Sequence, residues 1–404
     1  MLVKIAWRNV WRNRSRSLIV ISSIAVGVWA LVAGTGFMNG FLVSYISDQI
    51  NYNTSNIQIH HPVFHEDRDV NYSIPNSDEK ADYLQQIPGV IAVTKRVLVN
   101  GMIASAKKAS GVEIKGLDID RERQVTHLDS ILIEGKYFEG VKRNPVIIGS
   151  KLAEELNVKI RSKIVLTFSD KDGDMISGAF RVVGIIKSSA VNLNEGTAFV
   201  RDSDIQSLLG IDHNYHEIAA LTETQSEEKT IISEYQKKYS DDLVQDWKEI
   251  APDLAYISES FGNMLYILMA IILIALVFGI INTMLMAVLE RIKELGMLMA
   301  VGMNKSKVFF MIVVETIFLG LVGTPFGLVL GYLNVDYYHE RGVDLTDYSE
   351  GLEAFGYSSD LYPYLEPSVY IIVSIGVFIT TIVGAAYPAY KAVSLKPVEA
   401  LQKV

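Results

Sequence analysis

Four long apolar runs stand out from an otherwise mixed chain, and their placement predicts most of the architecture. Leu18 to Phe41 carries no charge, Met264 to Leu289 is uncharged for 26 residues, Val308 to Val335 contains one acid (Glu315), and Val369 to Ala389 is uncharged. A helix needs roughly 20 apolar residues to cross a bilayer core about 30 Å thick, because hydrocarbon cannot satisfy an open backbone. The pattern predicts four transmembrane helices in a one-plus-three arrangement, with a long soluble-looking stretch, 42–263, between the first and second. The first run is read as an anchor rather than a cleaved leader, since it exceeds a signal h-region and no small-x-small site closes it.

Within 42–263 the apolar positions change period. Val-, Ile- and Phe-rich runs predict strands at Asn56–His60, Val90–Val99, Lys163–Phe168, Phe180–Ile186 and Glu217–Thr222. Helical patterns, several opened by Ser or Asp, cover Asp78–Gln86, Ser150–Asn157, Asp202–Leu209 and Glu227–Lys238. The stretch reads as a mixed α+β domain in two lobes. Asp253–Asn263 leads into the second span without a break before Gly262, which predicts a helical stalk.

Charge orients the frame. Residues 1–17 hold Lys4, Arg8, Arg12, Arg14 and Arg16 and no acid, and the loop 290–307 adds Arg291, Lys293, Lys305 and Lys307 against Glu290 and Glu294. The tail 390–404 adds Lys391, Lys396 and Lys403 against Glu399. The loop 336–368 instead carries eight acids against Arg341 alone. Every basic cluster falls on one side, so the positive-inside rule places both termini in the cytoplasm and 42–263 outside. The net charge of −9 sums opposing blocks and says little about partners; nothing in it points to nucleic acid. The chain has no cysteine, which excludes a disulfide framework.

Catalytic chemistry is sparse. His60, His61, His65, Glu66, Asp67 and Asp69 lack a metal-ligand spacing and are interrupted by Pro62, so they read as a solvated loop. No phosphate-binding loop, nucleophile elbow or HExxH helix occurs, so no catalytic residue, metal site or cofactor is assigned to this chain. Glu315 is the exception that calls for a role, because an intramembrane carboxylate is costly. It lies about 10 Å along its helix from Val308, where Lys305 or Lys307 is the expected partner, and a structural pair tying the helix to the cytoplasmic loop and a transport role both stand open. Gly320, Gly323, Gly327 and Gly331 stack small residues on one face of the same helix for close packing, and Pro325 should kink it. Trp7 and Trp11 share a face beside Arg8, Arg12 and Arg14, the pattern of a basic amphipathic helix lying on a lipid surface.

The loop after the second span is recognisable. Glu290-Arg-Ile-Lys-Glu-Leu-Gly-Met-Leu-Met-Ala-Val-Gly-Met303 resembles the R-x-x-E-[IL]-G-x-L-x-A-[LIV]-G signature of ABC-transporter permeases of the FtsX/MacB/LolC–LolE superfamily. Tyr387-Pro-Ala-Tyr-Lys-Ala-Val-Ser-Leu-Lys-Pro-Val-Glu-Ala-Leu401 resembles the same family's C-terminal ending. Val146–Val158 and Phe180–Ile185 are similar to its periplasmic core domain, in which Lys159-Ile-Arg-Ser-Lys163 replaces a usual Gly-Asp turn. Met38-Asn-Gly-Phe41 resembles a motif of the lipoprotein-releasing members.

The resemblance implies a bacterial inner-membrane permease subunit that is not itself an enzyme. ATP and Mg would reside in a separate cytoplasmic ABC ATPase dimer, and a second permease copy or sister subunit would complete the transporter. Segment 290–307 would be the coupling helix, docking on the ATPase through Glu290, Arg291, Lys293, Glu294, Leu295, Gly296, Met297, Leu298, Ala300, Gly302 and Met303, with a Leu/Met face as the seat. The implied work is lipoprotein release. Alternatives within the family are MacB-like mechanotransmission, expelling peptides or toxins, and FtsX-like control of cell-wall hydrolases. A periplasmic carrier or an outer-membrane partner would fit these readings.

Overall fold

The computed structural model describes residues 2–12, 14–140, 142–211, 213–348, 351–352, 357 and 360–394. They form two compact units, one of 1–43, 260–344 and 360–404 and one of 44–259 and 345–359.

The first unit is helical. An amphipathic helix, Leu2–Arg12, precedes four long apolar ones: Arg14–Gln49, Pro252–Glu290, Lys305–Arg341 and Pro367–Ser394. At 1.5 Å per residue, the 36- and 39-residue members measure about 54 and 58 Å, well beyond a bilayer core. The first ends in a π-helical turn, Ile50–Thr54, and Ser55 follows with φ 59° and ψ 178°, a region ordinarily reserved for glycine. The buried faces of the four helices share one apolar core, in which Ile24, Val28, Ile280, Met311, Val373 and Val377 are almost fully enclosed. The third helix continues through Pro325.

The second unit is built on a ten-stranded sheet. Its strands are β1 (Ile57–His60), β2 (Val90–Ala104), β3 (Ala109–Leu117), β4 (Leu132–Gly135), β5 (Pro145–Gly149), β6 (Lys163–Ser169), β7 (Met175–Ile186), β8 (Thr197–Arg201), β9 (Glu217–Thr222) and β10 (Leu243–Asp246). The long β2 is the axis. Its first half pairs β9, which leads through β1 to the edge strand β10. Its second half pairs β6, and β2–β3–β8–β5–β7–β6 closes back on β2. Gly101 sits where the partner changes; a Cβ there would meet the Thr167 carbonyl at 2.5 Å.

Two separate cores result. The closed circuit is filled by Val97, Ile114, Ile148, Leu166, Phe168, Phe180 and Val200, with Leu152, Leu156 and Ile205 added by helices Ser150–Leu156 and Asp202–Leu209. The open half packs Ile57, Ile59, Ile218 and Val244 against Leu84 of helix Ser77–Gln85 and Ile231 of helix Glu228–Lys238. The two lobes expected from sequence thus share β2 as a common strand. The domain is α+β as expected.

His60 ends β1, within the strand expected over Asn56–His60, and at 1 % exposure it does not belong to the solvated loop expected for the His60–Asp69 cluster. Its Nδ1 lies 3.0 Å from the His216 carbonyl and its Nε2 lies 3.0 Å from Gln58 Oε1. Strand pairing carries His60 into the sheet, while His65, Glu66, Asp67 and Asp69 stay exposed. Among the described residues no His, Asp or Glu group is arranged to hold a metal.

Candidate coupling site

The second long helix stops at Glu290 because Arg291 leaves helical geometry, with φ −104° and ψ 17°. A short helix, Ile292–Ala300, follows. It ends before Gly302, whose φ of +105° suits a residue without Cβ. Asn304 then caps the third long helix, its Oδ1 accepting from the Ser306 amide at 3.3 Å. The segment is therefore a short helix set between two corners rather than one helix over 290–307.

Burial sorts its side chains. Ile292, Leu295 and Gly296 are buried, Leu298, Met299 and Met303 are half-buried, and Glu290, Lys293, Glu294, Met297, Ala300 and Gly302 are exposed. The expected Leu/Met face is not one surface: Leu295 is 2 % exposed within the helical core, whereas Met297 is 58 % exposed. Two residues apart on a 3.6-residue helix lie on opposite sides, which explains the split. The outward surface includes Lys293, Glu294, Met297 and Val301, and Val301 is 84 % exposed.

Glu315 is nearly enclosed, at 4 % exposure, and its partner differs from expectation. Arg291 Nη1 donates to both carboxylate oxygens, at 2.9 and 3.0 Å. Lys305 and Lys307 stand two to three turns earlier on the same helix, roughly 12–15 Å of rise away, beyond a lysine's reach. Arg291 also contacts Glu294 through Nε at 3.3 Å, and Glu294 accepts from Arg12 of the N-terminal helix. The Arg12 hydrogen bond, ahead of Arg291, holds the Glu294 carboxyl below its ordinary value, so Glu294 is ionised at neutral pH.

The N-terminal helix buries Ala6 and Val10, one turn apart. Trp7 packs edge-on to Phe318 of the third helix at 5.2 Å and to Trp11 at 5.9 Å. Both indoles remain nearly half exposed, and Arg8, Arg12 and Arg14 are exposed as well.

The glycine stripe meets two neighbours. Gly323, Gly327 and Gly331 face Ile24, Val28 and Val32 of the first helix, and Gly320 faces Thr381 of the fourth. A Cβ at Gly327 would come within 2.5 Å of the Ala25 carbonyl. At the opposite end of this unit the Met38-Asn-Gly-Phe41 motif holds a strap. Asn39 Nδ2 donates to the Tyr364 carbonyl at 3.0 Å, the Tyr364 amide donates to the Gly36 carbonyl at 3.1 Å, and Gly40 lies against the Tyr362 carbonyl. The third helix ties the same strap through His339, whose Nδ1 lies 2.9 Å from the Pro363 carbonyl. Of the C-terminal motif, Pro388 and Ala389 are buried in the fourth helix, and 395–401 lies outside the described residues.

Two family models match the chain. The MacB-like periplasmic core domain matches residues 17–237, and the FtsX-like permease C-terminal region matches residues 266–397. The chain belongs to the FtsX/MacB/LolC–LolE family of ABC-transporter permeases. Lipoprotein-releasing system transmembrane protein LolC of Neisseria meningitidis is 23 % identical over 96 % of this chain and 94 % of its own length. An ABC transporter permease of Methanocaldococcus jannaschii is 26 % identical over 99 % and 97 %. Macrolide export ATP-binding/permease protein MacB of Brucella melitensis is 23 % identical over 81 % of this chain but 52 % of its own length. As a permease of this family the protein is a multi-pass membrane subunit with a periplasmic-type domain, and its partner is of the ABC ATPase kind.

The sequence pointed to segment 290–307 and to Glu315 but not to the Arg291–Glu315 pair or the Arg12–Glu294 contact. Nothing local signals either, since the partners stand 24 and 282 residues apart.

Proposed function

We propose that this permease works in lipoprotein release: two copies, or this chain and a sister subunit, sit on a cytoplasmic ABC ATPase dimer and lift acylated proteins out of the inner membrane. The observation that carries this reading is end-to-end correspondence with LolC, against a correspondence with MacB that spans about half of that protein. The basic clusters at 1–17 and 290–307 orient the helical unit with both termini inside.

In this reading Lys293, Glu294, Met297 and Val301 meet the ATPase, the long helices carry its stroke, and the 42–263 domain performs the work outside. Burying an acyl chain is worth about 0.8 kcal/mol per methylene, so withdrawing a multi-chain anchor demands tens of kcal/mol. Force transmission needs no aqueous pore, in keeping with the uncharged runs 264–289 and 369–389.

Depleting the protein and separating the two membranes tests the proposal. Lipoproteins destined for the outer membrane should accumulate in the inner one. Correct sorting, together with loss of tolerance to an exported peptide or toxin, would replace this reading with the MacB-like one, which the match to the MacB-like core domain also supports.

A further inference from the structure

The corner at Arg291 holds more than a change of direction. It is where the second long helix gives way to the coupling segment, and a corner is where a push can be lost to bending. The side chain that occupies it reaches across to the third helix and bonds both oxygens of a carboxylate that is 4 % exposed. Met284, Ala287, Val288, Leu295 and Ile312 surround the pair, and the space left beside it is about 10 Å³, no larger than one water.

We propose that Arg291 and Glu315 are positioning residues that lock the coupling segment to the third helix, so that the two move as one body during the ATPase cycle. The inference rests on the assignment of 290–307 as the docking segment. Its physical basis is the steepness of the buried interaction: drawing the segment away from the third helix would leave the Glu315 carboxylate unpaired among apolar side chains, which is far more costly than parting an exposed pair. The Arg12–Glu294 contact extends the chain of charges to the N-terminal helix, but its side chains are 58 % and 48 % exposed. It therefore adds direction more than strength.

The absence of native cysteine makes the test direct, because single cysteines introduced at Phe310 on the third helix and Met175 in the outer domain can be spin-labelled without background. The intact complex with its ATPase is reconstituted in nanodiscs, and ATP-dependent change in the label distance is recorded beside ATP hydrolysis and ATPase copurification. Glu315→Gln should keep the ATPase bound and hydrolysing while the distance change falls at least fivefold. The exchanged pair Arg291→Glu with Glu315→Arg should restore at least half of it. Should Glu315→Gln not be recovered folded, Glu315→Asp, with its carboxylate drawn back, should give an intermediate loss.

A full distance change in Glu315→Gln, or no recovery in the exchanged pair, would overturn the lock. Loss of the ATPase from Glu315→Gln would also overturn it, by making the pair part of the docking surface. If the unmodified permease itself shows no copurification or no ATP-dependent change, the docking assignment fails instead, and the two failures remain distinct.

Discussion

Arg96 is 2 % exposed in the middle of β2, paired with Glu122 at 2.9 Å and with its cross-strand neighbour Glu217 at 2.5 Å, and its Nη2 donates to Ser55 Oγ at 3.3 Å. These partners hold the guanidinium charged against the burial that opposes it. Arg96→Ala would strand two buried carboxylates, and we expect a loss of about 3–5 kcal/mol in a denaturant melt of the intact protein. Two neighbours should set the pH response. Burial, partly offset by Glu217, lowers His60 to about 4 from an ordinary 6.5, with His65 and Arg68 adding to the shift. Between those values the unfolded chain takes up a proton that the fold refuses. His60 thus contributes fully above pH 6.5 and costs up to about 3 kcal/mol as pH falls toward 4. Glu228 runs the other way: burial raises it to about 7, against the Asn56 hydrogen bond, so its contribution is full below pH 4.5 and is lost as pH rises through 7. Melting temperatures across about pH 4–8 should show His60→Gln flattening the acid limb and Glu228→Gln the neutral one; unchanged profiles would contradict both assignments.

Helix packing makes the prediction at the next scale. Gly327→Ala places a methyl 2.5 Å from the Ala25 carbonyl and 2.6 Å from Val28 Cβ, so the first and third helices must separate. Overpacking of this kind costs about 1–3 kcal/mol, measurable as a lower thermal midpoint in detergent. Gly262→Ala, on the second helix with nothing within 4 Å, should raise stability by up to about 1 kcal/mol. Elements of this kind were legible because hydropathy and glycine spacing are local signals. So were β9 and helix Asp202–Leu209, whose bounds match those expected. The strands not anticipated, β3, β4, β5, β8 and β10, are either short or interrupted by polar and glycine residues, and gain their structure from pairing. The second half of β2, beyond Val99, was also missed because Asn100 and Gly101 look like a turn. The long-range charge contacts at Arg291 and Arg12 could not be read from spacing, for the chain must fold before those partners meet.

For the whole molecule, family membership specifies a permease coupled to an ABC ATPase, whereas neither hydropathy nor charge names the cargo. The proposed docking surface is the first place to test it. Lys293→Glu with Met297→Asp changes two exposed residues that take no part in the Arg291–Glu315 pair, and should abolish ATPase copurification while leaving the melting temperature unchanged. The most direct measurement of the central claim uses proteoliposomes that contain the permease, any sister subunit, its ATPase and a triacylated lipoprotein. On addition of ATP, lipoprotein should appear in the soluble fraction with a carrier, and the Lys293→Glu, Met297→Asp pair should reduce that release more than tenfold. Sustained ATP hydrolysis by the unmodified complex with the lipoprotein still in the membrane would contradict it.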